Sequence, residues 1–188
     1  MGNTGISAVW HDVDKKFELR ELPLPHLEPG AIGIRVRRTS ICGSDLHSWR
    51  GDGLDRDANP RDPWVFGHEM MGEVAKLGKG VRTDSLRRPL KEGDRVVFAY
   101  FFPCMSCYNC IRGELGACKF RSIKKSLEEW PVCNGGFAQY YYLEPGNFVF
   151  KLPDELSDEA AAPINCALAQ VTEAFHIGRI RFGDRVVV

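Results

Sequence analysis

A chain of 188 residues with 44% hydrophobic and 27% charged side chains has room for one substantial core and part of a second, and its composition is that of a folded protein rather than a disordered one. Its 25 Lys and Arg balance 25 Asp and Glu, so the positive face that displaces counterions from a nucleic acid is missing and that class of partner is set aside. No stretch approaches the length that spans a bilayer, and the start carries no basic segment, apolar run and cleavage site in series, which leads us to expect a cytoplasmic protein without a membrane partner.

From the N-terminus, short apolar runs alternate with turn signals. Residues 8–10 and 17–22 are apolar runs, a break rich in Pro and Gly follows (Pro23, Pro25, Pro29, Gly30), and Ile32, Ile34 and Val36 alternate; such period-two runs read as strands with one buried face. Residues 72–77, 94–100, 137–143 and 148–151 are further strand candidates, whereas 51–63 and 82–92 have the polar, aperiodic character of exposed loops. After Pro153 the pattern turns Ala-rich: 158–177, broken at Pro163, suits a short helix and then a longer one ending at Gly178. Gly183, Asp184 and Arg185 then form a turn into the apolar run 186–188, read as the beginning of a strand. None of the 19 glycines falls in a G-x-G-x-x-G pattern, so no dinucleotide fingerprint is present.

Seven cysteines in a reducing compartment point to metal ligands or reactive thiols before disulfides. Cys104, Cys107, Cys110 and Cys118 follow C-x2-C-x2-C-x7-C, a spacing that lets four thiolates converge on one ion within a single loop. A closed set of four thiolates is a structural zinc site; iron–sulfur runs of similar look usually have three residues before the fourth Cys and a Pro after it, whereas here Lys119 follows. Arg112, Lys119, Arg121, Lys124 and Lys125 either offset the charge of such a site or form a solvated basic surface. Cys133 reads as a packing residue or a free thiol.

A catalytic zinc needs three protein ligands and an open place. Cys42, His68 and Cys166 are candidates, though each is weak alone, and Cys166 on its Ala-rich segment reads by itself more readily as packing.

The order C-G-S-D-x-H (42–47), G-H-E-x-x-G (67–72), the four-cysteine lobe, G-G-F-A-x-Y (135–140) and G-D-R-V-V-V (183–188) resembles the zinc-containing medium-chain dehydrogenase superfamily over essentially the whole chain. The first motif is most similar to the sorbitol and threonine dehydrogenase branches, and a Cys at 166 is closer to the alcohol dehydrogenases. The resemblance implies a mainly β, GroES-like, partly open barrel with a few helices over 1–167, and in 168–188 the first helix and strand leading into a Rossmann-type α/β domain that these residues do not contain. It implies two zinc ions, one held by Cys42, His68 and Cys166 and one by the four-cysteine lobe, with NAD or NADP in the complete enzyme. It further implies that Glu69 approaches the metal, that Asp45 accepts a ring N–H of His68, that Ser44 takes the alcohol proton and that His47 passes it to solvent. For Ser44 a helix cap near Asp45 is the plainer alternative. Gln170 stands where the family commonly has a Thr touching the nicotinamide, and Gly43 where some members have a phosphate-binding Arg. Trp64 and Phe102 line a pocket by analogy or, more simply, pack in the core.

The implied activity is oxidation of a primary or secondary alcohol, or a polyol, by hydride transfer to NAD(P), in a homo-oligomer (dimer or tetramer) when complete. These 188 residues by themselves are expected to bind zinc without turning over. The alternative is a non-catalytic zinc module for interaction or assembly, holding one ion where the enzyme holds two.

Overall fold

A computed structural model describes residues 3–12, 14–52, 63–120 and 135–187. Its strands are β1 (Thr4–His11), β2 (Lys16–Pro23), β3 (Ile32–Ser40), β4 (Trp64–Val65), β5 (Glu69–Leu77), β6 (Arg95–Phe98), β7 (Tyr140–Leu143) and β8 (Val149–Lys151). The helices are short: α1 (Gly43–Arg50), α2 (Tyr108–Ile111), α3 (Asp158–Ala161) and α4 (Ala169–Gly178), the last preceded by one π-helical turn over Ile164–Leu168. The strands form two open antiparallel sheets, β2-β1-β4 and β7-β3-β5-β6-β8, so the fold is mainly β as expected.

The expected strand over 137–143 is divided between the sheets. Ala8 donates to the Phe137 carbonyl at 2.8 Å and Gln139 to the Ile6 carbonyl at 2.8 Å, which ties the first part to β1; Tyr140–Leu143 then pairs with β3. One run of chain thereby makes the corner that joins the two sheets into a partly open barrel. The main core fills the larger sheet, where Ile34, Met70, Val74, Val96 and Tyr141 are almost wholly buried. Each aliphatic side chain so buried contributes about 1.5–3 kcal/mol.

Three expectations are corrected. β2 is an edge strand with only Leu22 buried, and its Lys16, Glu18, Arg20 and Glu21 guard the open edge, so it does not bury one face. The strand expected over 94–100 ends at Phe98. The excursion 82–92 is the exposed loop expected, held at one point where Asp84 is buried and accepts the backbone N–H groups of Leu86, Arg88 and Lys151 at 2.9–3.0 Å, with the Arg88 guanidinium at 2.7 Å. Val186 and Val187 form no strand, since no neighbour pairs with them among the described residues. No described helix is long and apolar enough to cross a membrane.

Candidate metal centre

Cys42 ends the loop after β3 and is the N-cap of α1, with extended backbone (φ −82°, ψ 156°). The Asp45 carboxylate accepts the Cys42 N–H at 3.0 Å, a local bond that holds the loop against the first helical turn. His68 lies just before β5, behind Gly67, whose φ of +90° turns the chain sharply enough to aim the imidazole inward. Cys166 sits in the middle of the π-helical turn and is 4% exposed. These three, brought from distant parts of the chain, place one ligand atom each within 4.8 Å of one another.

Around them, Asp45 Oδ1 lies 3.3 Å from His68 Nδ1, which leaves Nε2 as the nitrogen free for an ion. Ser44 is not the cap of α1; its Oγ stands 3.2 Å from His68 Nε2. Glu69 is buried as the first residue of β5, and its carboxylate charge is felt at Cys166. Gln170 donates from Nε2 to Cys166 Sγ at 3.2 Å. His47, further along α1, is largely exposed, with Nδ1 2.7 Å from Asp52 Oδ2.

Charge in this cluster is divided unevenly. Burial pushes the Cys166 thiol up to about 12, and Cys42 and Glu69 push the same way. Burial also opposes ionisation of Cys42, yet the Ser44 hydroxyl and N–H together with His68 outweigh it and hold that thiol below its ordinary value. His68 is raised: burial lowers it, but Asp45 and Cys42 more than compensate. Asp45 is lowered, because the hydrogen bonds from His68 and the Cys42 and Gly67 backbone outweigh its burial. Two thiolates cannot share this space without a cation to offset them, and two sulfurs with one neutral imidazole suit Zn2+ with a fourth place open.

The second cluster is closed. The sulfur separations are 3.5 Å for Cys107–Cys110, 3.6 Å for Cys104–Cys118, and 3.9 Å for both Cys104–Cys110 and Cys107–Cys118. A tetrahedron with Zn–S bonds of about 2.3 Å has edges of about 3.8 Å, whereas a disulfide needs about 2.05 Å. The four thiols are free, and the donor set fits a structural zinc ion. Arg112 reaches Glu114 (3.3 Å) and the Tyr108 ring (5.2 Å), so the charge-offset reading has another claimant for this side chain. Arg121, Lys124, Lys125 and Cys133 lie outside the described residues.

A cleft of about 880 Å³ runs from Cys166 past Tyr100, Phe101 and Asn165 to Glu114 and the inner side of α4. Trp64 lies elsewhere, buried against Phe66 with ring centroids 5.2 Å apart, which is the core role. Phe102 is half-buried, and the aromatic groups at the cleft are its neighbours Tyr100 and Phe101. Sequence reasoning missed Tyr100, whose ring stands 5.0 Å from that of His68, and Asn165; nothing in the spacing distinguished either from a strand end or a polar turn residue.

A family model described as "Alcohol dehydrogenase GroES-like domain" matches residues 28–154. Among curated proteins, the chain is 36% identical over 177 residues to the probable D-xylulose reductase A of Aspergillus clavatus, covering 92% of this chain and 44% of that protein. It is 30% identical over 183 residues to an alcohol dehydrogenase of Geobacillus stearothermophilus, covering 97% and 50%. The chain thus spans about half the length of the curated relatives it matches. Among solved structures, an alcohol dehydrogenase from Thermotoga maritima superposes with a TM-score of 0.82 at 24% identity over 97% of this chain and 49% of that one, which shows the fold. Acetophenone reductase from Geotrichum candidum, solved with NAD, gives 0.73 at 26% identity over 96% and 49%.

Proposed function

This chain belongs to the zinc-containing medium-chain alcohol dehydrogenase family through its GroES-like domain, and we propose that it supplies the metal-binding catalytic half of a dehydrogenase that oxidises a small alcohol or polyol by hydride transfer to NAD(P). The observation that carries the reading is the meeting of Cys42, His68 and Cys166 within 4.8 Å, with Asp45 on the far nitrogen of the imidazole and Ser44 Oγ beside the near one.

When bound, Zn2+ supplies a Lewis acid that polarises the alcohol oxygen. The chain's own residues do the rest. Asp45 fixes the His68 tautomer, Ser44 accepts the substrate proton, and His47, exposed and partnered by Asp52, hands it to solvent. Gln170, whose amide bonds Cys166 Sγ, faces the cleft where the nicotinamide approaches. The cofactor domain follows residues 1–167, with 168–188 leading into it, and the complete protein assembles as a dimer or tetramer. Both D-xylulose reductases and alcohol dehydrogenases occur among the relatives, which favours polyols and simple secondary alcohols as first substrates to test.

The test is metal analysis and NAD(P)-linked turnover of the full-length protein. Two zinc ions per chain with alcohol-dependent NAD(P)H formation supports the reading. One zinc ion per chain and no turnover supports a non-catalytic module instead. The 188 residues alone are expected to be inactive, because without a held cofactor the positioning advantage of about 7–11 kcal/mol is forfeited.

A further inference from the structure

The ladder between β5 and β6 stops at Met71 opposite Val97. One step on, where Met70 faces Phe98, the Asn165 side chain stands between the Met70 N–H and the Phe98 carbonyl. Met70 N–H donates to Asn165 Oδ1 at 3.3 Å, and Asn165 Nδ2 donates to the Phe98 carbonyl at 3.0 Å. The side-chain amide occupies the place of one peptide group, accepting from one strand and donating to the other. Since a backbone N–H only donates and a carbonyl only accepts, these partners dictate which way the amide points. Met70 and Phe98 are 0% and 1% exposed, so neither group has water as a substitute partner.

Each segment tied at this amide delivers a group to the metal centre. Met70 follows His68 and Glu69 directly, Phe98 precedes Tyr100 by two positions, and Asn165 is the residue before Cys166. The turn that carries Cys166 is π-helical, a geometry rarely stable by itself, and its own bonds from Cys166 and Leu168 to the Pro163 carbonyl are long, 3.3 Å each. Asn165 ties this turn to the sheet, and its bond to the Phe98 carbonyl, 3.0 Å, is shorter than either of those two.

We infer that Asn165 is a positioning residue that wedges the ends of β5 and β6 apart and sets the reach of Cys166 toward Cys42 and His68. The inference rests on the proposed metal centre. It differs from the ligand assignment in that Asn165 offers nothing to an ion: both ends of its amide are committed to the backbone. Replacing it by leucine conserves volume and removes both bonds, leaving the Met70 N–H and the Phe98 carbonyl to close on each other and displace the turn.

The test uses the full-length protein loaded with Co2+, whose thiolate charge-transfer and d–d absorption report the two sites separately, with timed release to a chelator. Wild type is expected to hold two ions. Asn165→Leu is expected to release the ion of the three-ligand site about 10- to 100-fold more readily, with a changed charge-transfer band, while release from the four-cysteine site is unchanged. Unaltered release and spectrum in a folded Asn165→Leu protein would overturn the inference. If circular dichroism shows that this variant has not folded, Asn165→Ser, which keeps a hydroxyl able to hold one of the two bonds, decides by the same measurement: faster release supports the wedge, unchanged release sinks it. A wild-type protein holding a single ion would instead refute the metal centre.

Discussion

Asp45 Oδ1 lies 3.3 Å from His68 Nδ1, the carboxylate buried at 4% exposure and the imidazole half-buried. The second oxygen of the same carboxylate holds the Cys42 N–H, so one side chain orients two of the three proposed ligands. Asp45→Asn keeps an acceptor but loses the charge that holds the imidazole in one tautomer and raises its basicity. Metal affinity of the three-ligand site is expected to fall about 10- to 100-fold, with the four-cysteine lobe unaffected. Chelator competition on the purified protein measures both; equal loss from the two sites would show a general weakening of the fold instead.

The four-cysteine lobe has almost no apolar core of its own. In α2 the only buried residue is Cys110, the 3-10 turn Leu115–Ala117 buries none, and Met105, Tyr108 and Ile111 are exposed. Four thiols this close also resist joint ionisation: Cys104 is lowered to about 6 by hydrogen bonds, foremost from the Ser106 backbone, while burial and its neighbours push Cys110 up to about 12. A cation bound by these four sulfurs would hold the loop closed. Removing it, or replacing Cys110 by Ser, should expose residues 104–118 to proteolysis while the sheets remain folded. Resistance of that loop to protease after complete demetallation would contradict this.

Gly67 has φ +90°, and a Cβ there would meet Phe137 Cδ1 at 2.6 Å and the Phe137 backbone nitrogen at 2.8 Å. The backbone cannot retreat, since Phe137 N–H bonds the Phe66 carbonyl at 2.9 Å and Gly136 N–H the Gly67 carbonyl at 2.8 Å. Gly67→Ala is expected to cost about 2–4 kcal/mol, read as a lowered urea midpoint, and to weaken metal binding because His68 follows directly. A midpoint unchanged from wild type would mean that this turn adapts.

Asp158, at the start of α3, is clamped by Arg37 on β3 (2.7 Å) and Arg95 on β6 (2.8 Å). Burial alone would raise its pKa, but the two guanidinium groups outweigh it and hold the carboxylate below its ordinary value. Such a group stabilises the fold above the unfolded-state pKa of about 3.9, and the contribution falls away as pH drops below that value and through the folded one. Asp158→Asn should cost about 1–2 kcal/mol near neutrality, a figure reduced by the solvent exposure of Arg37, and should flatten the acid limb of stability below about pH 4. Parallel wild-type and variant curves through that range would exclude the clamp as a contributor to acid stability.

Much of the fold was legible in the chain because its signals are local. Alternation in residues 32–36, the Pro and Gly breaks and the Ala-rich tail located the strands and helices to within a few residues. The misreadings have tertiary causes. The 137–143 run switches sheets midway, and the 94–100 strand ends where Asn165 enters the ladder. None of these partners is a sequence neighbour.

The two candidate metal centres divide in the same way. Cys104, Cys107, Cys110 and Cys118 lie so near one another in the chain that closing their loop costs little entropy, and their spacing alone determined that they would meet. Cys42, His68 and Cys166 are spread over most of the sequence, and only the packing of a helix N-cap, a glycine turn and a π-helical turn against one sheet end brought them within reach of one ion. A local spacing carries its own geometry, whereas distant ligands take theirs from every strand folded between them.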